Sequence, residues 1–323
     1  MSTTTHLLAL ITCSWHEAGR LRHPEVDLDH LLLGLLAEGG AAAALLGAHG
    51  VTLANARGAI RDVADADLAA IGVDVSAMPQ NLPESVGTEP LANFGEIPMS
   101  ARAEQLVNDR NTSFKTSLSA LQALLGTEVA IRPLVLLGVD PDHLRNDVAA
   151  YKQRRPNPVA RRAGVMVDHT LLAEQPSAAE RLSRFISAPP AQVHGVLADP
   201  SLLSSWAVLA TEIRATRPDG IITRSGSRSG SRHMDLRWRR FEPTPDSVVW
   251  VKTMLNGPAP GRGIAYDRFD LAPAPGGCAL TFTRAHRIWN LSGRLLHPVT
   301  QRLTRIGMVT ALGALARTVA ASE

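Results

Sequence analysis

The sequence predicts a multi-domain chain. An all-α double-repeat helical bundle occupies residues 1–150, and an α+β domain follows over residues 179–323, its antiparallel sheet wrapped on a long C-terminal helix. Three observations carry this reading. Charge is polarised: of a net +3, residues 1–150 hold −9 and residues 151–323 hold +12. A run repeats within the first part, Gly50-Val51-Thr52-Leu53-Ala54-Asn55-Ala56-Arg57 returning 88 residues later as Gly138-Val139-Asp140-Pro141-Asp142-His143-Leu144-Arg145. The apolar period then changes from helical to alternating near residue 179.

In chain order, Leu7, Leu8, Ile11 and Trp15 recur at helical spacing, with Thr5 as the expected cap. Asp27 is the expected cap of a Leu28–Leu36 helix. Its leucines at 28, 31, 32, 35 and 36, widened by Leu33, predict burial on most sides. Gly39-Gly40 stops that helix, Ala41 to Ala48 packs closely, and Gly50 suits a left-handed helix end. Leu53, Ala56, Ile60 and Val63 form the next stripe. The second repeat restarts at Ser100 and carries Leu118, Leu121, Leu124 and Leu125. The repeats span about residues 1–68 and 98–150 and are joined by the proline-bearing stretch Met78–Pro98.

The residues Leu28-Asp29-His30-Leu31-Leu32-Leu33-Gly34-Leu35-Leu36, followed by Glu38-Gly39 and the Gly50-Val51 helix, resemble the repeat of the Clp ATPase amino-terminal (Clp R) domain. Ile97-Pro98-Met99-Ser100-Ala101-Arg102-Ala103 resembles the start of its second repeat. The resemblance implies a pseudo-twofold helical domain that binds substrates and adaptors of a Clp unfoldase, and in some members phosphorylated arginine or cyclic-peptide antibiotics. It implies partner- or peptide-binding candidates at Asp29, His30 and Arg57. Two departures stand out. Asp29 replaces the usual Glu, and Ser117-Leu118-Ser119-Ala120-Leu121 lacks both acid and His. The plainer readings are that a helix dipole favours Asp29 and that His30 is structural. The three lysines, Lys115, Lys152 and Lys252, do not follow a glycine, so no phosphate loop is present and ATP-driven unfolding is excluded.

Residues 151–178 read as a basic, proline-containing linker, with Val165, Val167, Leu171 and Leu172 as a short docked element. The expected strands are Glu180–Ala188, Val208–Thr216, Gly220–Gly226, His233–Phe241, Ser247–Leu255, Ile264–Leu271 and Cys278–His286. Short helices lie between the first two strands, and a final helix runs from about Leu295 to Ala321. Arg224 to Arg232, rich in Ser, Gly and Arg, is read as a hairpin tip rather than a phosphate grip.

Phe185-Ile186-Ser187-Ala188-Pro189-Pro190-Ala191-Gln192-Val193, then Leu197-Ala198-Asp199-Pro200 and Trp206, resemble the opening of the SRPBCC (START-like, polyketide cyclase/dehydrase-like) superfamily. This implies a helix-grip fold with an apolar cavity for a hydrophobic small molecule. The candidate lining is Trp206, Met234, Leu236, Trp238, Leu280, Phe282, Arg284 and Leu303. Arg284 and His286 share a face with Leu280 and Phe282, and Tyr266 is a candidate proton donor. No acid–base pair, catalytic residue, metal site or cofactor is indicated.

The resulting expectation is a non-ATPase binding protein, an accessory, adaptor or decoy for Clp protease components or their substrates. It would carry a hydrophobic small molecule or cyclic peptide, with sequestration of Clp-targeting antibiotics as a specific variant; the alternative is a cyclase- or dehydratase-like enzyme. Two distant cysteines point to a reducing compartment, and no basic stretch precedes the Leu7–Cys13 apolar run, so a cytoplasmic location is expected. No membrane span or nucleic-acid partner is expected.

Overall fold

The computed structural model describes residues 3–73, 97–109, 114–153, 165–172, 177–226, 233–288 and 297–322. The chain divides into two compact units, residues 1–155 and 156–322. The expected loop Met78–Pro98, the tip of Arg224–Arg232 and much of the 151–178 linker lie largely outside the described residues.

The first unit holds α1 (Thr3–Leu21), α2 (Leu28–Glu38), α3 (Ala41–Ala48), α4 (Leu53–Ala70), α5 (Ala101–Asn108), α6 (Ser117–Leu124), α7 (Glu128–Leu136) and α8 (Pro141–Gln153). The second set of four follows the plan of the first. The α2–α3 corner bends by 98° and the α6–α7 corner by 92°. Gly50 and Gly138, at matching turns, both take φ +79°, a conformation that costs glycine nothing. Helix α2 is the central element: its residues from His30 through Glu38 are all buried, and it packs on α1, α3, α4, α6 and α7.

Caps fix where these helices begin. Asp27 accepts the Leu28 N–H at 2.8 Å, while His30 Nδ1 accepts the Asp27 N–H at 2.9 Å, closing a capping box. Asp27 also accepts from Ser100 Oγ at 2.8 Å and from Arg102 Nε at 2.7 Å. The start of one repeat is thereby clamped to the start of the other, next to an isolated parallel bridge between Val26 and Met99. Thr5 falls inside α1 rather than capping it, because the helix already runs from Thr3.

The second unit is a seven-stranded antiparallel sheet in the order β1-β7-β6-β5-β4-β3-β2. The strands are β1 (Ser177–Ile186), β2 (Ile213–Arg217), β3 (Gly220–Gly226), β4 (His233–Thr244), β5 (Ser247–Met254), β6 (Gly263–Ala274) and β7 (Gly277–Arg287). Helices α9 (Pro190–Ala198) and α10 (Leu203–Trp206) follow β1, and α11 (His297–Ala321) closes the unit. One face of the sheet packs on α9, α10 and α11 through Val193, Leu197, Trp206, Trp250, Phe269, Phe282, Met308, Leu312 and Leu315. This is a helix-grip arrangement. The opposite face carries Val249, Tyr266 and Ala285, covered by Leu172 with Val167 and Leu171, so the expected docked element is present.

Two expectations for this unit need correction. Residues 208–212 are not extended, since Val208 N–H bonds Leu203 O and a 3₁₀ turn occupies Ala210–Glu212 before β2. In the final helix, Leu303 and Ile306 are exposed, and the buried stripe is Met308, Leu312, Leu315 and Val319. The phase of α11 is set by its contact with the sheet.

Gly34 lets α1 and α2 touch. A Cβ there would lie 2.2 Å from Ser14 Oγ and 3.1 Å from the Leu10 carbonyl. Gly34→Ala is expected to destabilise the helical unit by about 1–3 kcal/mol through overpacking. Gly58→Ala, in α4 with nothing within 4 Å, is expected to be neutral or stabilising by about 0.5–1 kcal/mol. Thermal and denaturant unfolding of the two variants measures the contrast.

Candidate functional site

The inner face of the sheet is apolar at one end and charged at the other. At the apolar end Phe269 stacks on Phe282 with centroids 4.4 Å apart, and Trp206 meets Phe269 edge-on at 5.4 Å. Trp250 Nε1 donates to Leu197 O at 2.9 Å, tying the end of α9 to the sheet. The indole N–H of Trp206 is buried and makes no hydrogen bond among the described residues.

The charged end is built by three neighbouring strands. Antiparallel register sets Lys252 of β5, Asp267 of β6 and Arg284 of β7 on the same face as Trp250, Phe269 and Phe282. Arg284 donates from Nε to Asp267 Oδ1 at 2.6 Å and from Nη2 to Oδ2 at 2.8 Å. Lys252 Nζ donates to the same Oδ2 at 2.7 Å and lies 3.9 Å from the centroid of the Trp238 ring. The Arg284 guanidinium sits over Phe282, 5.2 Å from its centroid. Asp267 is 1% exposed, whereas the Arg284 side chain keeps 21% of its surface.

The electrostatics follow from one anion facing two cations. Burial alone would raise the Asp267 carboxyl, but Arg284 and Lys252 outweigh it and bring it down to about 2. Burial dominates at Lys252 and lowers its amine to about 8; attraction to Asp267 opposes this and repulsion from Arg284 adds to it. Arg284 stays charged, its guanidinium raised despite burial because of Asp267. The shortfall therefore falls on Lys252. Glu180 stands opposite Arg284 in the β1–β7 register, but its carboxylate accepts from Gln301 of α11, and no ion pair joins it to Arg284 among the described residues.

Among the sequence-derived lining residues, Trp206, Trp238, Leu280 and Phe282 are buried in this core, and Leu236 packs against it. Met234 is half-buried farther along β4, toward its start. Arg284 is central. Leu303 points away from the interior. Tyr266 belongs to the opposite face of the sheet, where its hydroxyl accepts the Asp168 N–H at 2.9 Å, so it donates no proton into the interior. Lys252 and Asp267 were not singled out from sequence; alternation in β5 and β6 places them with Trp250 and Phe269, and pairing to β7 was the missing information.

In the helical unit, His30 is 1% exposed and serves the cap, with Nε2 2.8 Å from His23 Nδ1. Asp29 accepts the His30 backbone N–H at 2.7 Å. Arg57 is buried and doubly bonded to Glu17, at 2.7 and 2.8 Å, which makes it a core ion pair rather than a surface contact.

A helix grip with a charged inner pole defines the class of this unit. Residues 180–320 match the family described as polyketide cyclase / dehydrase and lipid transport. Among solved structures, a protein from Nitrosomonas europaea is similar at 19% identity over 49% of this chain and 100% of its own, with a TM-score of 0.34. A protein from Thermus thermophilus matches at 17% identity over 45% and 99%, with a TM-score of 0.34. The Aha1 dimer from Colwellia psychrerythraea matches at 17% over 43% and 96%, with a TM-score of 0.29. No curated protein matches. Among the described residues no single helix is long and apolar enough to cross a membrane.

Asp267→Asn leaves two buried cations without their anion and is expected to cost about 3–5 kcal/mol. The pH dependence has two arms. Asp267, held down at about 2, contributes stability above the ordinary carboxylate range that is lost as pH falls from about 4 toward 2. Lys252, held down at about 8, costs stability at neutral pH, and the cost is relieved as pH rises from about 8 to 10.5. Unfolding midpoints of the wild type and Lys252→Met across these windows check both signs: the alkaline gain should vanish in the variant.

Proposed function

We propose that the second unit binds a hydrophobic small molecule carrying an anionic head group. The observation that carries this reading is the charge shortfall at Lys252–Asp267–Arg284. Two buried cations share one carboxylate, and a ligand carboxylate or phenolate would supply a second anion there while its apolar body enters the apolar inner side of the sheet. The family description, which includes lipid transport, supports an apolar cargo. A cyclase- or dehydratase-like second reading draws on Lys252, since an amine at about 8 can exchange a proton near neutrality.

For the helical unit we propose a protein- or peptide-docking role of the Clp R kind, extending to an accessory or decoy for the Clp system and its antibiotics. Its support is the duplicated four-helix plan and the capped α2 word; the family match does not reach residues 1–179. Capture of purified Clp components by the full chain, undiminished when the exposed face of α4 at Arg61, Asp62 and Asp65 is altered, would count against it.

Hexadecanoate and hexadecanol titrated into the protein test the ligand reading. The acid is expected to bind at least about ten-fold tighter, a difference of about 1.4 kcal/mol. The preference should weaken above pH 8 and disappear in Lys252→Met. That variant removes an unfavourable buried charge, so it stays folded and loss of preference reports recognition. Equal affinity for acid and alcohol would refute the anionic head group. A mass change in ligand recovered from the protein would favour the enzyme.

A further inference from the structure

The helical unit holds a second cluster of chemistry that neither the Clp resemblance nor the ligand reading uses. His49 caps the C-terminal end of α3 in the first repeat. His143 and Asp147 lie one turn apart on α8 in the second. The fold brings them together across 98 residues of sequence. His49 Nε2 lies 2.9 Å from Asp147 Oδ2, and His143 Nε2 lies 3.7 Å from the same oxygen. The two imidazoles meet edge-on with centroids 5.3 Å apart, and the three donor atoms lie within 4.8 Å of one another.

We infer that His49, His143 and Asp147 form a site for a divalent first-row transition metal, of which zinc is the natural candidate. The donor set is two imidazoles and one carboxylate, the composition that suits zinc with a fourth position left to water. Two of the three donor spacings fit as they stand, and the exposed His143 ring would draw in to set the third, since all three donors lie within 4.8 Å. Two ligand atoms about 2.0–2.1 Å from a tetrahedral zinc are about 3.3 Å apart, and the two contacts to Asp147 Oδ2 bracket that value. The ring nitrogens are available: among the described residues, His49 and His143 bond no side chain other than Asp147 and each other. Solvent reaches the site, since the side chains of His143 and Asp147 are 66% and 40% exposed, so an ion has an entry path.

The other histidine cluster, His23, Asp29 and His30, lacks this freedom. Its central ring is committed at both nitrogens, Nδ1 to the Asp27 N–H and Nε2 to His23. A metal there would have to break the cap of α2. At His49 it would displace only the proton shared with Asp147. Because one ligand comes from the first repeat and two from the second, the bound ion would act as a clip between α3 and α8 and raise the stability of the unit.

The test uses the full chain without a histidine tag, stripped by chelator and titrated with Co²⁺ and Zn²⁺. Expected is one equivalent of Co²⁺ with a visible d–d spectrum, displaced by Zn²⁺, and a higher unfolding midpoint for the helical unit with zinc than without. His143→Ala, an exposed position that leaves the fold intact, should weaken binding by at least about ten-fold and abolish the midpoint shift. His23→Ala should leave both unchanged. No stoichiometric binding, undiminished binding in His143→Ala, or loss in His23→Ala instead would each overturn the assignment.

Discussion

One carboxylate shared by two cations governs the second unit. Asp267 takes the Arg284 fork on both oxygens and Lys252 on one of them, deep in a sheet whose remaining inner surface is largely aliphatic and aromatic. The three residues sit on adjacent strands, so the pairing of β5, β6 and β7 is a condition for the charges to meet. The reverse also holds, because a slip of one residue would turn each of these side chains to the opposite face and leave it against the apolar cover at Leu172. Register and charge pairing therefore enforce each other. The energetic tension is concentrated at Lys252, where an aromatic face from Trp238 supplies part of the stabilisation that Asp267 cannot.

The helical unit depends on a different constraint, the closeness with which α2 can be surrounded. Its leucines are buried, and Gly34 brings the backbone of α1 against it. Among the described residues, specific polar contacts include the buried Glu17–Arg57 and His6–Glu38 pairs and the Asp27 cap with its links to Ser100 and Arg102. Each joins elements far apart in sequence. They select one arrangement of apolar helices that would otherwise pack in several ways.

Much of this was legible in the sequence where the signal is local. The cap at Asp27, the helix start at Ser100, the stop at Gly39-Gly40, the left-handed turn at Gly50 and the alternation placing Arg284 beside Phe282 all depend on residues a few positions apart. What needed register or helix phase was not legible. Lys252 and Asp267 are 15 residues apart, and only pairing makes them partners. Tyr266 fell on the outer face for the same reason that Asp267 fell on the inner one. Leu303 was misjudged because the apolar residues of α11 form no single stripe, and contact with the sheet selects the part from Met308 onward. The His49–His143–Asp147 cluster escaped because its ligands come from both repeats.

The strand order has a consequence for how the chain is made. β1 is the first strand synthesised in its unit and β7 the last, yet they are neighbours, with Leu182 opposite Phe282. As the chain leaves the ribosome, β1 must wait, unpaired, for about a hundred residues. Part of the apolar face it helps to build meets α9 and α10, which emerge early, but the rest is covered only when α11 emerges. Part of the apolar inner face is thus shielded last. Until α11 is in place, the part of the sheet that meets Met308, Leu312 and Leu315 has no cover, so the helix made last completes the core that the strand made first began.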